Sequence, residues 1–272
     1  MGNRLPMFVV LFLLAGALLA QENPDPRQNY GDLTQSDFRA LLSRAESGDR
    51  ETQYRLALSY SHENGTVPSN DAASREWMLR SAEQGYAPAQ VRIGMMFLGA
   101  TGDFGKADLW LRRAAEQGNA EGQFWLGASY EQGWFGITDY QEAFRWLRKA
   151  AEQGHPDAEV VLGEMYEDGE FVSQNYALAA KWYRKAAENV PDFGGAGQGR
   201  NHLGLLYEGG LGVPKNLILA DMWFRLAHVD PNVNEVERDM TRAQITQARK
   251  MASDWLTWHP VQQEGTTKQD MR

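Results

Sequence analysis

The chain has 272 residues, a formal net charge of −9, 43% hydrophobic residues and no cysteine. That acidic balance argues against a basic nucleic-acid or anionic-membrane surface. Without cysteine there is no disulfide framework and no thiol to acylate, so stability must come from apolar burial.

The first twenty residues carry one charge, Arg4, and an apolar run from Met7 to Ala20. A bilayer span needs about 20 apolar residues, so this shorter run reads as a secretory leader. Small residues allow cleavage after Ala17 or after Ala20, and an uncleaved anchor is the alternative. Losing Arg4 leaves a mature charge of about −10. Residues 21–48 read as a linker and an N-terminal capping helix, with Ser36 as N-cap and Phe38, Leu41, Leu42 and Ala45 turned inward.

A repeat then runs from residue 49 to 230. Trp77, Trp110, Trp146, Trp182 and Trp223 recur at steps of 33, 36, 36 and 41. Each lies in small-x-x-Trp-apolar-x-x-small, as in Ala143/Trp146/Leu147/Ala150, and three-four spacing places these residues on one helical face. Glycine stops this helix B at Gly85, Gly118 and Gly154, each within Glu-Gln-Gly. A second helix, helix A, carries Leu-Gly-x-x-Tyr or its variants, such as Leu126-Gly127 with Tyr130, Leu162-Gly163 with Tyr166 and Leu203-Gly204 with Tyr207. A polar, glycine-rich turn joins A to B. Copy two has a truncated turn between Phe97 and Trp110. Copy five carries an insertion before it, in which Gly195-Ala-Gly-Gln-Gly199 reads as a flexible loop. That run lacks both GxGxxG spacing and a P-loop lysine. A capping box at Thr241-x-x-Gln244 opens a last helix with Ile245, Ala248, Ala252 and Trp255 on one face, so residues 231–259 form a C-terminal cap and 260–272 a frayed tail.

Leu-Gly-x-x-Tyr, then Gly-x-Gly-Val, then Ala-x-x-Trp-x-x-x-Ala-Ala-x-x-Gly resembles the Sel1-like repeat family, relatives of tetratricopeptide repeats. The resemblance implies an all-α, right-handed superhelical α-α solenoid of about five repeats with capping helices at both ends. It also implies a non-enzymatic scaffold for a protein or peptide partner in the bacterial envelope. With the leader, this makes the chain exported, periplasmic or secreted, without stable membrane insertion after cleavage. The other readings are a peptidoglycan-associated or carbohydrate-active envelope protein and a secreted effector of host proteins. The cysteine-rich relatives of the family are held by disulfides, which this chain lacks.

No residue pattern specifies catalysis, a cofactor or a metal. His62, His155, His202, His228 and His259 lack metal spacing, and HExxH, GxSxG, SxxK and Lys-Thr-Gly are absent. Asn64-Gly-Thr66 matches a glycosylation sequon, a triplet too short and generic to carry weight. In superhelical repeats the concave surface is lined by helix A. With the Leu and Tyr of Leu-Gly-x-x-Tyr taken as core, the facing positions are Tyr54 and Leu58; Val91, Met95 and Leu98; Phe124 and Glu131; Val160, Glu164 and Glu167; Asn201, Leu205 and Glu208. The expectation is a groove with an apolar floor in the early copies and an acidic stripe beyond, suited to a peptide or helix with apolar anchors and a basic segment. The alternative is that the apolar side chains pack helix A against its neighbours. Trp134 and Phe135, in the turn of copy three, are a second candidate contact, or else fold over the neighbouring shortened turn.

Overall fold

The computed structural model describes residues 34–61, 69–169, 171–189 and 194–259. The leader, the linker up to residue 33, the Asn64-Gly-Thr66 sequon and the tail from 260 lie outside the described residues. Among those described, the chain is all-helical, and it divides into two compact units, one up to Asp139 and one from Tyr140.

The first unit holds α1 (Gln35–Glu46), α2 (Arg50–Ser61), α3 (Asp71–Glu83), α4 (Ala87–Met96), α5 (Phe104–Glu116) and α6 (Ala120–Gln132). A single π-helical turn, Phe97–Thr101, extends α4. The second unit holds α7 (Tyr140–Glu152), α8 (Pro156–Asp168), α9 (Tyr176–Glu188), α10 (Gly195–Gly209), α11 (Leu217–Leu226), α12 (Asp230–Val236), a 3-10 turn and α13 (Arg242–Trp258). Within each unit, successive helices pack on one another.

The repeat chemistry explains both the helices and their spacing. Seven residues before each of four tryptophans, Asn70, Asp103, Asn175 and Asn216 cap helix B by accepting a backbone N–H. The glycine of Leu-Gly-x-x-Tyr marks the closest helix crossing. A Cβ at Gly163 would lie 2.5 Å from the Tyr183 ring, at Gly204 2.5 Å from Phe224, and at Gly94 2.7 Å from Leu111. At these three crossings helix B meets helix A through the residue after the tryptophan. Four of the five tryptophan faces are covered by cations from their own helices, as with Arg80 over Trp77 at 4.6 Å and Lys185 over Trp182 at 4.3 Å.

A buried polar ladder runs beneath this packing and gives Glu-Gln-Gly its second role. Gln53, Gln90 and Gln123 donate from their amides to Ala45, Ala82 and Ala115, carbonyls at the end of the preceding helix. Gln53 and Gln90 in turn accept from Gln84 and Gln117, the glutamines of Glu-Gln-Gly. The fourth rung is Glu159, which accepts from Asn189 at 3.0 Å. The fifth is Arg200, whose guanidinium donates to both Ala187 O and Leu226 O.

Two sequence expectations are corrected. The first helix is capped by Thr34, not Ser36, because Asp37 completes a reciprocal capping box with Thr34. Gly195–Gly199 is not a flexible loop but the opening turn of α10. Glycine is needed at two of its positions because α10 enters against α8 and α9, with Cβ positions at Gly195 and Gly199 falling 2.5 Å from Pro156 and 2.8 Å from Ala186, whereas Gly197 faces open space. The box at Thr241 and Gln244 forms as expected, and α13 closes the array by placing Trp255 edge-on to Trp223.

Candidate functional site

In the first unit the apolar floor is closed. Tyr54, Leu58, Val91, Met95, Leu98 and Phe124 are buried. Tyr54 stacks at a tilt on Tyr86 with ring centres 5.3 Å apart, and Phe124 meets Trp125 at the same distance. Side chains of this size at Leu−2 and Leu+2 are taken up by helix packing, leaving the half-exposed Glu131 as the polar residue of the predicted set here. Trp134 and Phe135 are not an exposed pair. Both are half-buried, and Phe135 turns edge-on to Tyr130 of its own repeat at 5.1 Å.

The second unit is built differently on the same frame. Val160 is buried like its counterparts, but α8 and α10 bring Glu164, Glu167, Asn201, Leu205 and Glu208 to the surface, half-buried except for Leu205, which is 42% exposed. A histidine that spacing alone did not single out joins them. His202 lies 3.3 Å from Glu164 and 3.6 Å from Glu167, and stacks on the Tyr183 ring at 4.6 Å. The Tyr183 hydroxyl donates to Glu167 at 2.6 Å.

Burial pulls the His202 imidazole down, but hydrogen bonds to the two carboxylates outweigh it and hold the pKa at about 9, so the ring is a cation at neutral pH. Burial, then the Glu167 hydrogen bond, pushes the Tyr183 phenol well above its ordinary value, keeping it a neutral donor. Asn201 is tied to Asn232 at 2.9 Å. Burial, reinforced by Glu235, raises the Glu208 carboxyl, with Lys215 opposing.

The surface thus presents one apolar side chain among carboxylates only partly neutralised by His202. Its signal in sequence was the acid at Leu+2 and Leu+5 of copy four. The neutralising histidine comes from the next repeat, beyond any local pattern. Among the described residues no group of three or more His, Asp or Glu is arranged to hold a metal. No helix there is long and apolar enough to cross a membrane.

Comparison with known proteins agrees with this architecture. The Sel1 repeat family matches five segments, residues 50–86, 87–119, 120–155, 156–190 and 198–227. No curated protein matches the chain. A protective antigen of uropathogenic Escherichia coli strains with an SLR fold is similar at 27% identity and TM-score 0.52, over 92% of this chain and 60% of that one. This chain therefore spans under two thirds of that protein's length. A Sel1 repeat protein from Oxalobacter formigenes shares the fold at 24% identity and TM-score 0.63, over 81% of this chain and 93% of that one.

Proposed function

The chain belongs to the Sel1 repeat family, and from that premise we propose that it is an exported, non-enzymatic scaffold that holds a protein partner in the bacterial envelope. Sel1 repeat proteins generally mediate protein–protein interaction and are generally non-catalytic. The observation that carries the reading is Leu205, exposed among Glu164, Glu167, His202 and Glu208 on the helix A face of the second unit. An exposed leucine inside an acidic frame suits an apolar anchor flanked by lysine or arginine: the anchor supplies burial, and the charges supply register and encounter rate. The short leader supports export.

The test is a photo-crosslinking amino acid in place of Leu205 in the full chain, expressed in its own cells. A discrete partner with a basic segment should be captured, and capture should fall at least tenfold with Glu208→Lys while helicity is unchanged. Equal capture from an exposed control position such as Glu188, or no adduct at all, would overturn the scaffold reading. Recovery of the protein only in the cytoplasm would overturn export.

A further inference from the structure

In the first unit an apolar cavity of about 390 Å³ opens between α3 and α4, lined by Arg75, Glu76 and Leu79 on one helix and Ile93, Met96 and Phe97 on the other. Two coordinated departures from the repeat create it. At two other seams the second residue after the tryptophan is an arginine that donates to the tyrosine hydroxyl of the next helix A, Arg112 to Tyr130 and Arg184 to Tyr207 at 2.8 Å, whereas Arg148 pairs with Glu152 of its own helix at 3.0 Å. Here those two positions are Leu79 and Phe97. With neither donor nor hydroxyl, the clasp is replaced by a Leu79 that remains 39% exposed.

The turn after helix A departs as well. In copy three Phe135 leans on Tyr130, and in copy four Phe171 and Tyr166 both meet Phe144. In copy two the turn is shortened to the π-helical turn Phe97–Thr101, followed by Gly102 and Asp103 before α5 begins. A π-turn in place of a covering loop is a costly local choice that recurs at functional sites.

The charges at the mouth are not balanced. Glu76 is paired with Arg80 at 2.6 Å, and Lys106 above the Phe97 ring is paired with Asp103 at 2.8 Å. Arg75 has no hydrogen-bond or ion-pair partner among the described residues. The rim therefore carries a surplus cation in a chain whose net charge is −9.

We propose that this seam is a docking pocket for one leucine- or phenylalanine-sized side chain of a partner protein, with a carboxylate close by in the partner's sequence meeting Arg75. The volume accommodates one such group with room to enter, and the cation fixes the direction of the bound segment. This surface belongs to a different unit from the acidic face around Leu205 and prefers the opposite charge, so the two assignments fail separately.

A displayed peptide library selected against the full chain tests it. The expected winners pair an apolar residue with Asp or Glu within one helical turn. Their affinity should drop at least tenfold in Leu79→Arg/Phe97→Tyr, which rebuilds the clasp seen at Arg112–Tyr130 and Arg184–Tyr207, and about tenfold in Arg75→Glu, while Glu208→Lys leaves it unchanged. Should the double variant fold poorly, Leu79→Gln, read by the same titration against a thermal-melt control, replaces it. Four outcomes overturn the proposal: no apolar–acidic consensus, affinity indifferent to the clasp variants, a tenfold gain on deleting residues 260–272, which would make the chain's own tail the occupant, or a self-associated chain dissociated by the clasp variants, which would make it a second copy.

Discussion

In the first unit the helix A positions facing along the repeat, Tyr54, Leu58, Val91, Met95 and Phe124, close into the core, whereas in the second, where Val160 is buried too, Glu164, Glu167, Asn201 and Glu208 remain polar and half-exposed near His202 and Leu205 is exposed. The crossing glycines, helix B caps and buried ladder are common to both. Identical frames thus carry opposite surfaces, because the frame uses small and capping residues at fixed places and leaves Leu−2, Leu+2 and Leu+5 free to vary. One unit offers an apolar seam rimmed by a surplus cation; the other offers a leucine rimmed by acids.

The strongest test of the common frame is Gly163→Ala. Its Cβ would meet the rigid Tyr183 ring at 2.5 Å, and overpacking of this kind costs about 3 kcal/mol, read as a large fall in Tm. Gly94→Ala in the first unit meets the Cγ of the buried Leu111 at 2.7 Å, an aliphatic side chain more able to shift than a ring, and should cost less, about 2 kcal/mol. Equal losses would contradict a crossing tuned to its neighbour.

Next is the alkaline sensitivity of the second unit. His202 has its pKa raised from 6.5 to about 9, so its contribution is complete below pH 6.5 and lost as pH rises towards 9. His202→Ala should cost roughly 2 kcal/mol more at pH 6 than at pH 10, where only the lost packing on Tyr183 remains. Glu159 sharpens the same contrast. Burial, opposed by Lys185, His155 and the Asn189 hydrogen bond, raises it from 4.5 to about 7. A raised acid binds its proton more tightly in the folded state, so stability falls as pH rises from 4.5 through 7. Glu159→Gln restores the amide of the other rungs and should gain about 1–2 kcal/mol at pH 8 and almost nothing at pH 4. Hydrogen exchange followed against pH should show the second unit loosening towards alkaline pH while the first holds. Parallel loosening would erase the difference.

The smallest effect belongs to the exposed anchor. Leu205→Ser should change folding stability by under about 1 kcal/mol, measured by urea unfolding, because two fifths of the residue is already exposed to water.

The tryptophan ladder, Leu-Gly-x-x-Tyr and Glu-Gln-Gly were enough to set out paired helices, their order and their repeat, because each records a local packing or capping need. The acids at 164, 167 and 208 were legible for the same reason. The closing of the apolar floor was not, since an apolar residue at Leu+2 looks alike whether a neighbour or a partner covers it. Gly195–Gly199 misled because glycine also serves where backbones touch. The partnership of His202 with Glu164, and the missing Arg–Tyr clasp at Leu79 and Phe97, depend on residues one repeat apart.

Arg200 marks where the array ends. At the rung that the first three copies fill with glutamine and the fourth with Glu159, its fork binds the carbonyl behind it and the one ahead at once, and its face lies 4.7 Å from the ring of Trp255 in the closing helix. A glutamine rung leaves an acceptor for the next glutamine; the arginine offers only donors and a cation for an aromatic lid. The arginine thus ties the fifth repeat to the helix that covers it instead of handing an acceptor onward.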